Sequence, residues 1–226
     1  MSTLAHRNGT TTGRNASTEP EGQLRRKPVQ QRSAERVSRM LDACAALLDE
    51  VGYGKVTTTL IAQRAEVAIG SIYQFFGDKR AVVRALGMRN LDVFLTRVQE
   101  RVTDTPPDMW WELVDIVIDE YIQMHRTQPG FRTLHFGDIV DVYLLDDSRS
   151  NNDVLADRLT ALLAERFNMA LNHRTLLATT VAVETGDVLV KLAFRKDPEG
   201  DDEILSEAKT LIRDYLAKSI PMTPAN

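Results

Sequence analysis

The chain has 226 residues, 43% hydrophobic and 27% charged, with 28 Lys and Arg against 32 Asp and Glu for a formal net charge of −4. That balance excludes a wholly disordered chain, a collagen and a disulfide-rich mini-protein, and the length accommodates one to two domains. The single cysteine, Cys44, excludes an intramolecular disulfide and a cysteine-built zinc site.

The charge is unevenly spread. Residues 24–84 carry 11 Lys and Arg against 6 Asp and Glu, whereas residues 85–226 carry 15 against 24. A basic block ahead of a long acidic one suggests two units with different partners, the first of them binding a polyanion. Ordinary surfaces also carry such a modest basic excess, so charge alone leaves both readings open.

Residues 1–30 are rich in Gly, Thr, Ser and Asn and read as a disordered tail ending in the basic cluster Arg25, Arg26 and Lys27. That cluster either enters a minor groove as a basic arm or remains a solvated tail. The N-terminus has no apolar signal core, and nowhere do roughly 18 apolar residues run together as a membrane span requires. A cytoplasmic protein without a membrane partner is the expectation.

The helical pattern starts at Ser33, a candidate cap with Glu35 in the first turn. Val37, Met40, Leu41, Cys44, Leu47, Leu48 and Val51 form one apolar stripe, on which Cys44 is a small core residue, and Gly52 ends it in the left-handed region. Among Thr57, Thr58 and Thr59 lies a cap for a short helix that carries Ile61 and Ala65. Glu66, Val67 and Ala68 make a tight turn, and Ile69 to Phe76 is a second short helix. Asp78 caps a long helix from Lys79 to about Val102, closed by Pro106 and Pro107. Further helices are predicted over residues 110–126, 131–145 (one or two), 152–167, 175–196 and 203–220, with the strand-like Val188–Val190 run inside the fourth of these. Nothing reads as a β-hairpin or βαβ unit. The fold class is all-α with about nine helices.

Two short helices joined by a tight turn and preceded by a packing helix constitute a helix-turn-helix, whose second helix enters the DNA major groove. Thr58 and Thr59 offer hydroxyls to a phosphate. Gly70 and Ser71 permit close approach, and Tyr73 presents a phenol to the backbone. Gln74 can read a base edge, Ile69 can touch a thymine methyl, and Lys79 can reach a phosphate. Phe76 follows Ile72 by four positions and belongs to the core, whereas Tyr73 and Phe75 fall off that face.

Val56-Thr57-Thr58-Thr59, Ile61-Ala62, Ala65, Val67, Gly70-Ser71-Ile72-Tyr73, Phe76 and Asp78-Lys79 together resemble the DNA-binding domain of TetR-family transcriptional regulators. The resemblance covers residues 33–84. It implies that Thr58, Thr59, Ile69, Gly70, Ser71, Tyr73, Gln74, Phe75 and Lys79 face DNA, and that a C-terminal helical domain binds a small ligand and dimerises. Two positions depart from the family pattern: Ala68 replaces a common capping Ser, and Ile69 replaces a common polar or basic residue. The expected organisation is a tail over 1–30, a helix-turn-helix domain over 31–84, and a ligand-binding and dimerisation domain over 85–226.

In that last domain Ala178, Ala182 and Gly186 form a small-residue row that permits a close helix crossing, either between two copies or within one chain. Leu211, Ile212 and Tyr215 lie on the apolar stripe of the final helix, and the row and stripe together are the expected homodimer interface. Trp111, Tyr121, His125, Phe131, His135, Phe136 and Tyr143 are the candidate ligand-binding residues, with Arg132 or Asp138 as polar complements. Aromatics at helical spacing also serve as plain core. His125, His135, Asp138 and Asp141 match no compact metal motif, so no metal and no cofactor are expected. The sequence has no nucleophile elbow, phosphate-binding glycine loop or zincin helix, which argues against an enzyme. The expected function is a ligand-responsive regulator, a repressor released from a palindromic operator by a small molecule. The alternative is an all-α small-molecule-binding or carrier protein that does not touch DNA.

Overall fold

The computed structural model describes residues 26–134 and 151–220, with side chains from residue 31 in the first stretch and from residue 152 in the second. Among these residues there are nine α-helices, a single 3-10 turn and no strand. Chain contacts separate Met1–Arg36 from Val37–Asn226. The packing that follows is that of the second unit.

Helix α1 spans Arg26–Val51. It starts ahead of the expected Ser33, which lies inside the helix and caps nothing, and it takes in the last residues of the expected tail. Pro28 lies in the first turn of the helix. In a first turn it costs little, because the opening N–H groups of a helix have no intrahelical partner to lose. The predicted stripe buries Met40, Leu41, Cys44, Leu47 and Leu48, while Val51 at its end is exposed. Gly52 follows at φ 74. A Cβ there would meet nothing within 4 Å, so the backbone conformation rather than space favours glycine. Cys44 is fully buried, and burial pushes its thiol up to about 12, which keeps it a neutral packing group.

A 3-10 turn over Tyr53–Lys55 leads to α2, Thr58–Arg64. Thr57 is its cap, with Oγ1 accepting from the Leu60 N–H at 3.2 Å. The turn to α3 (Ile69–Phe75) contains Glu66 at φ 53, and Ala68 starts α3 without a side-chain cap. Asp78 caps α4, Lys79–Asp104, by accepting from the Ala81 N–H at 2.8 Å.

Two hydrophobic cores share α4. Val82, Val83 and Leu86 join α1, α2 and α3 in the first; Leu91, Phe94, Val98 and Val102 join the second. The second core is completed by α5 (Trp110–Thr127), α7 (Asn151–Phe167), α8 (His173–Lys196) and α9 (Asp202–Ser219). The short α6, Phe131–Leu134, bridges them, since Phe131 packs in the second core and Leu134 in the first. Just before it, Gly130 has φ 73 and donates its N–H to Asp49 Oδ2 of α1 at 2.7 Å. The rest of the predicted 131–145 segment lies outside the described residues.

The small-residue row of α8 is used within the chain. Ala178 and Ala182 are buried, and a Cβ on Gly186 would come within 3.0 Å of the Ile212 methyl of α9. Ile212 is buried too, and Tyr215 is half-buried. Of the six residues expected at a dimer interface, Leu211 is the exposed one. At Gly186 the missing side chain lets α9 of the same chain approach, the intrachain use of the row that the spacing also allowed.

Candidate functional site

The helix-turn-helix presents a defined outer face. In α3 Ile72 is fully buried, whereas Ile69, Gly70, Tyr73 and Gln74 point to solvent, with Tyr73 at 57% exposure. Thr59 is exposed on α2, and Thr58 and Ser71 are half-buried. Because Thr57 takes the capping role, the two following threonine side chains are free of it. The Thr58 and Tyr73 hydroxyls lie 3.3 Å apart, so residues separated by fifteen positions make one hydroxyl pair that a phosphate oxygen can bridge.

Two of the predicted contact residues are engaged in the chain. Phe75 is half-buried against the first core, its ring 6.5 Å from that of Phe76. Lys79 donates from Nζ to the Tyr53 carbonyl at 3.0 Å and sits 4.0 Å above the Tyr53 ring. Phe75 thus seats α3 on the first core, and Lys79 ties the start of α4 to the 3-10 turn. Arg64 is also committed: it makes bonds of 2.7 and 2.6 Å to the Glu50 carboxylate. That guanidinium holds the Glu50 carboxyl below its usual range, and both groups are exposed, so the pair adds little stability.

The second feature is a cavity in the core of residues 91–220, enclosed by α4, α5, α7, α8 and α9. Its wall is almost entirely hydrocarbon, with Phe94 and Ile118 on one side and Leu155, Leu159, Val183 and Leu216 among those closing it. About 80 Å³ of it admits the centre of a water molecule, several times the roughly 10–15 Å³ that one water needs.

Of the predicted ligand residues that are described, Tyr121 lines this cavity and Trp111, His125 and Phe131 do not. Its hydroxyl donates to Asp187 Oδ1 at 2.5 Å, and Lys191 Nζ lies 2.6 Å from Asp187 Oδ2. His125 and Phe131 are buried behind Tyr121, with ring centroids 4.6 and 5.6 Å from it. His125 Nδ1 meets the Tyr121 carbonyl at 3.0 Å, and its ring stacks on Phe194 at 4.8 Å. Arg132 donates from Nε to the His125 carbonyl at 2.6 Å and stays outside the wall. Trp111 is exposed beside Trp110, Arg213 and Asp214, away from the cavity. His135, Phe136, Tyr143, Asp138 and Asp141 lie outside the described residues. No group of residues able to hold a metal ion occurs among the described residues.

Sequence reasoning missed the aliphatic wall because Leu and Val at helical spacing read as ordinary core. It also missed Asp187 and Lys191. An Asp–Lys pair four apart reads as solvated surface, and the one available signal was the position of Asp187 on the same helix face as Val183 and Val190.

Residues 40–86 match the family described as bacterial regulatory proteins, tetR family, and residues 108–220 match the tetracyclin repressor-like C-terminal domain. A TetR-family transcriptional regulator of known crystal structure from Streptomyces coelicolor is 43% identical, with 81% of this chain and 99% of that chain covered at a TM-score of 0.70. Curated relatives match over shorter stretches. An uncharacterised HTH-type transcriptional regulator of Mycobacterium bovis is 35% identical over 81 residues, 34% of this chain and 42% of that protein. The HTH-type transcriptional repressor KstR of Mycolicibacterium smegmatis is 43% identical over 54 residues, 24% of this chain and 26% of that protein. The chain thus spans less than half the length of these curated relatives. No helix among the described residues is long and apolar enough to cross a membrane. With both family models and a homologue covered over 99% of its length in agreement, the chain belongs to the TetR family of transcriptional regulators.

Proposed function

We propose that this protein is a dimeric repressor that binds a two-fold symmetric operator and is released by a small molecule entering the α4–α9 cavity. The observation that carries the reading is the outer face of α3, where Ile69, Gly70, Tyr73 and Gln74 are exposed on a helix fixed from behind by Ile72. Residues 31–84 act as the reading domain and 85–226 as the regulatory one, consistent with the change of core between Leu86 and Leu91 along α4. The Thr58–Tyr73 hydroxyl pair contacts a phosphate, Thr59 and Ser71 flank it, and Gln74 and Ile69 read base edges. Phe75 positions α3 against the first core, and Lys79 anchors the start of α4 to Tyr53.

Tyr73→Ala should weaken binding on all duplexes alike, whereas Gln74→Ala should cost about 1–3 kcal/mol at one base pair and relax preference there. The measurement is affinity for a selected palindromic duplex and a random one across a salt series, because phosphate contacts give affinity a steep salt dependence. Equal losses on both duplexes for Gln74→Ala would remove it from base reading. Failure to retain any duplex at low salt would favour the carrier alternative.

Dimerisation is assigned to the open face of α8 and α9. Leu177, Val181 and Val188 are exposed at positions that share one face of α8, and Leu211 is exposed on α9. Leu177→Glu with Val188→Glu should give a monomer in sedimentation at micromolar concentration and reduce operator affinity at least a hundredfold. A double variant that still sediments as a dimer would relocate the interface.

Release follows if the effector favours a state with misplaced reading heads. It shifts the equilibrium only by its differential affinity for the two states, and dimers read half-sites about 34 Å apart or a multiple of it. The link is α6, seated on α1 through Gly130 and Asp49 and rooted in the second core through Phe131.

A further inference from the structure

The open side of α3 is uncharged. From Ala65 to Asp78 the chain has no Lys or Arg, and its two acidic residues there, Glu66 and Asp78, lie in the turns on either side of α3. The nearest cations along the chain are engaged elsewhere: Arg64 bonds the Glu50 carboxylate at 2.7 and 2.6 Å, and Lys79 bonds the Tyr53 carbonyl at 3.0 Å. A guanine is read in the major groove chiefly by the donors of an Arg or Lys, and α3 presents neither.

What α3 presents instead is one hydrocarbon and one amide. Ile69 is 41% exposed, and Gln74 is exposed as well. At about 3.6 residues per turn the two stand at the edges of the open sector, with Tyr73 and Gly70 between them. Tyr73 is paired with Thr58 at 3.3 Å. A Cβ at Gly70 would meet nothing of the chain within 4 Å, so the middle of the sector is bare and a groove floor can approach both edges. Five residues of helix rise by about 7.5 Å, roughly two base-pair steps, so Ile69 and Gln74 meet different base pairs. The apolar group that the major groove presents is the C5-methyl of thymine. The donor and acceptor that a Gln amide matches together are N6 and N7 of adenine. Against guanine or cytosine edges Ile69 would strip water from polar atoms and return no bond.

We infer that the base pairs read by α3 are A·T pairs, with a thymine methyl seated on Ile69 and an adenine held by Gln74. The inference rests on α3 being the helix that enters the major groove.

The test uses the full-length protein to select duplexes from a random pool, then measures affinity for the selected duplex with matched changes in both half-sites. Each thymine is replaced in turn by deoxyuridine, which keeps the pairing and removes only the methyl. One position should weaken binding about fourfold per half-site, the worth of one covered methyl. Ile69→Ala should lose a similar factor on the thymine duplex and bind the thymine and deoxyuridine duplexes alike. Each adenine is replaced in turn by 7-deazaadenine, which should cost the wild type about tenfold at one position and leave Gln74→Ala unaffected there. Both side chains are exposed, so both variants keep their cores. A selected half-site whose required pairs are all G·C, deoxyuridine tolerated at every thymine, or a deoxyuridine loss that persists in Ile69→Ala would overturn the inference and leave the protein a DNA-binding regulator. Selection of no duplex at all would overturn the assignment of α3 as reading helix, and the inference with it.

Discussion

Lys191→Met is expected to lower folding stability by about 3–5 kcal/mol, the cost of stranding one member of a buried ion pair. The side chains of Lys191 and Asp187 are 11% and 7% exposed, and their charged atoms are 2.6 Å apart. Once the ammonium is removed, the buried carboxylate loses its 2.6 Å cationic partner. Asp187→Asn combined with Lys191→Met removes both charges and should recover most of the loss, because a buried pair often does no better than neutral groups of similar volume. Urea unfolding at fixed protomer concentration measures both variants, the concentration being held because association contributes to stability. A loss below about 1 kcal/mol for the single variant would mean that the pair behaves as a solvated surface bridge.

Gly130→Ala should cost about 2–5 kcal/mol, from two sources. At φ 73 an alanine adopts the left-handed region, which costs roughly 1–2 kcal/mol. Its Cβ would also lie 2.8 Å from the Ala45 Cα, and a backbone contact cannot be relieved by a change of rotamer. The chain must lift off α1, losing the bond from the Gly130 N–H to Asp49, worth about 1–3 kcal/mol when its donor is left buried. Gly52→Ala is the internal control: its φ is 74, with nothing within 4 Å of an added Cβ. It should show the backbone cost alone. The same urea titrations check both, and equal losses at the two glycines would show that the α1 contact carries no weight.

Several features were readable in the sequence because they depend on nearest neighbours along the chain. Thr57 and Asp78 cap the helices that follow them, and Gly52 ends α1 in a conformation other residues avoid. Ile72 and Phe76 are inside while Tyr73 and Gln74 are outside, as their spacing on a helix requires. The start of α1 was set too late because Ser33, a residue type that caps helices, lies inside the helix instead. Phe75 and Lys79 escaped because their partners, the first core and Tyr53, belong to other segments. The cavity was hidden more deeply. Its wall is made of the side chains that build any core, and Tyr121 meets Asp187 across 66 positions, a pairing that no local spacing announces. The small-residue row illustrates the general difficulty: close approach was legible, but whose helix approaches was not.

Helix α4 runs without a proline through both cores. At about 1.5 Å per residue its 26 residues make a rod of about 39 Å, and a tilt of about 5° at the cavity end would carry the other end by roughly 3 Å. Between the two cores Asn90 is buried, and neither atom of its amide is hydrogen-bonded to another described residue. A straight rod shared by two cores carries a tilt at one of them to the other with little loss along its length.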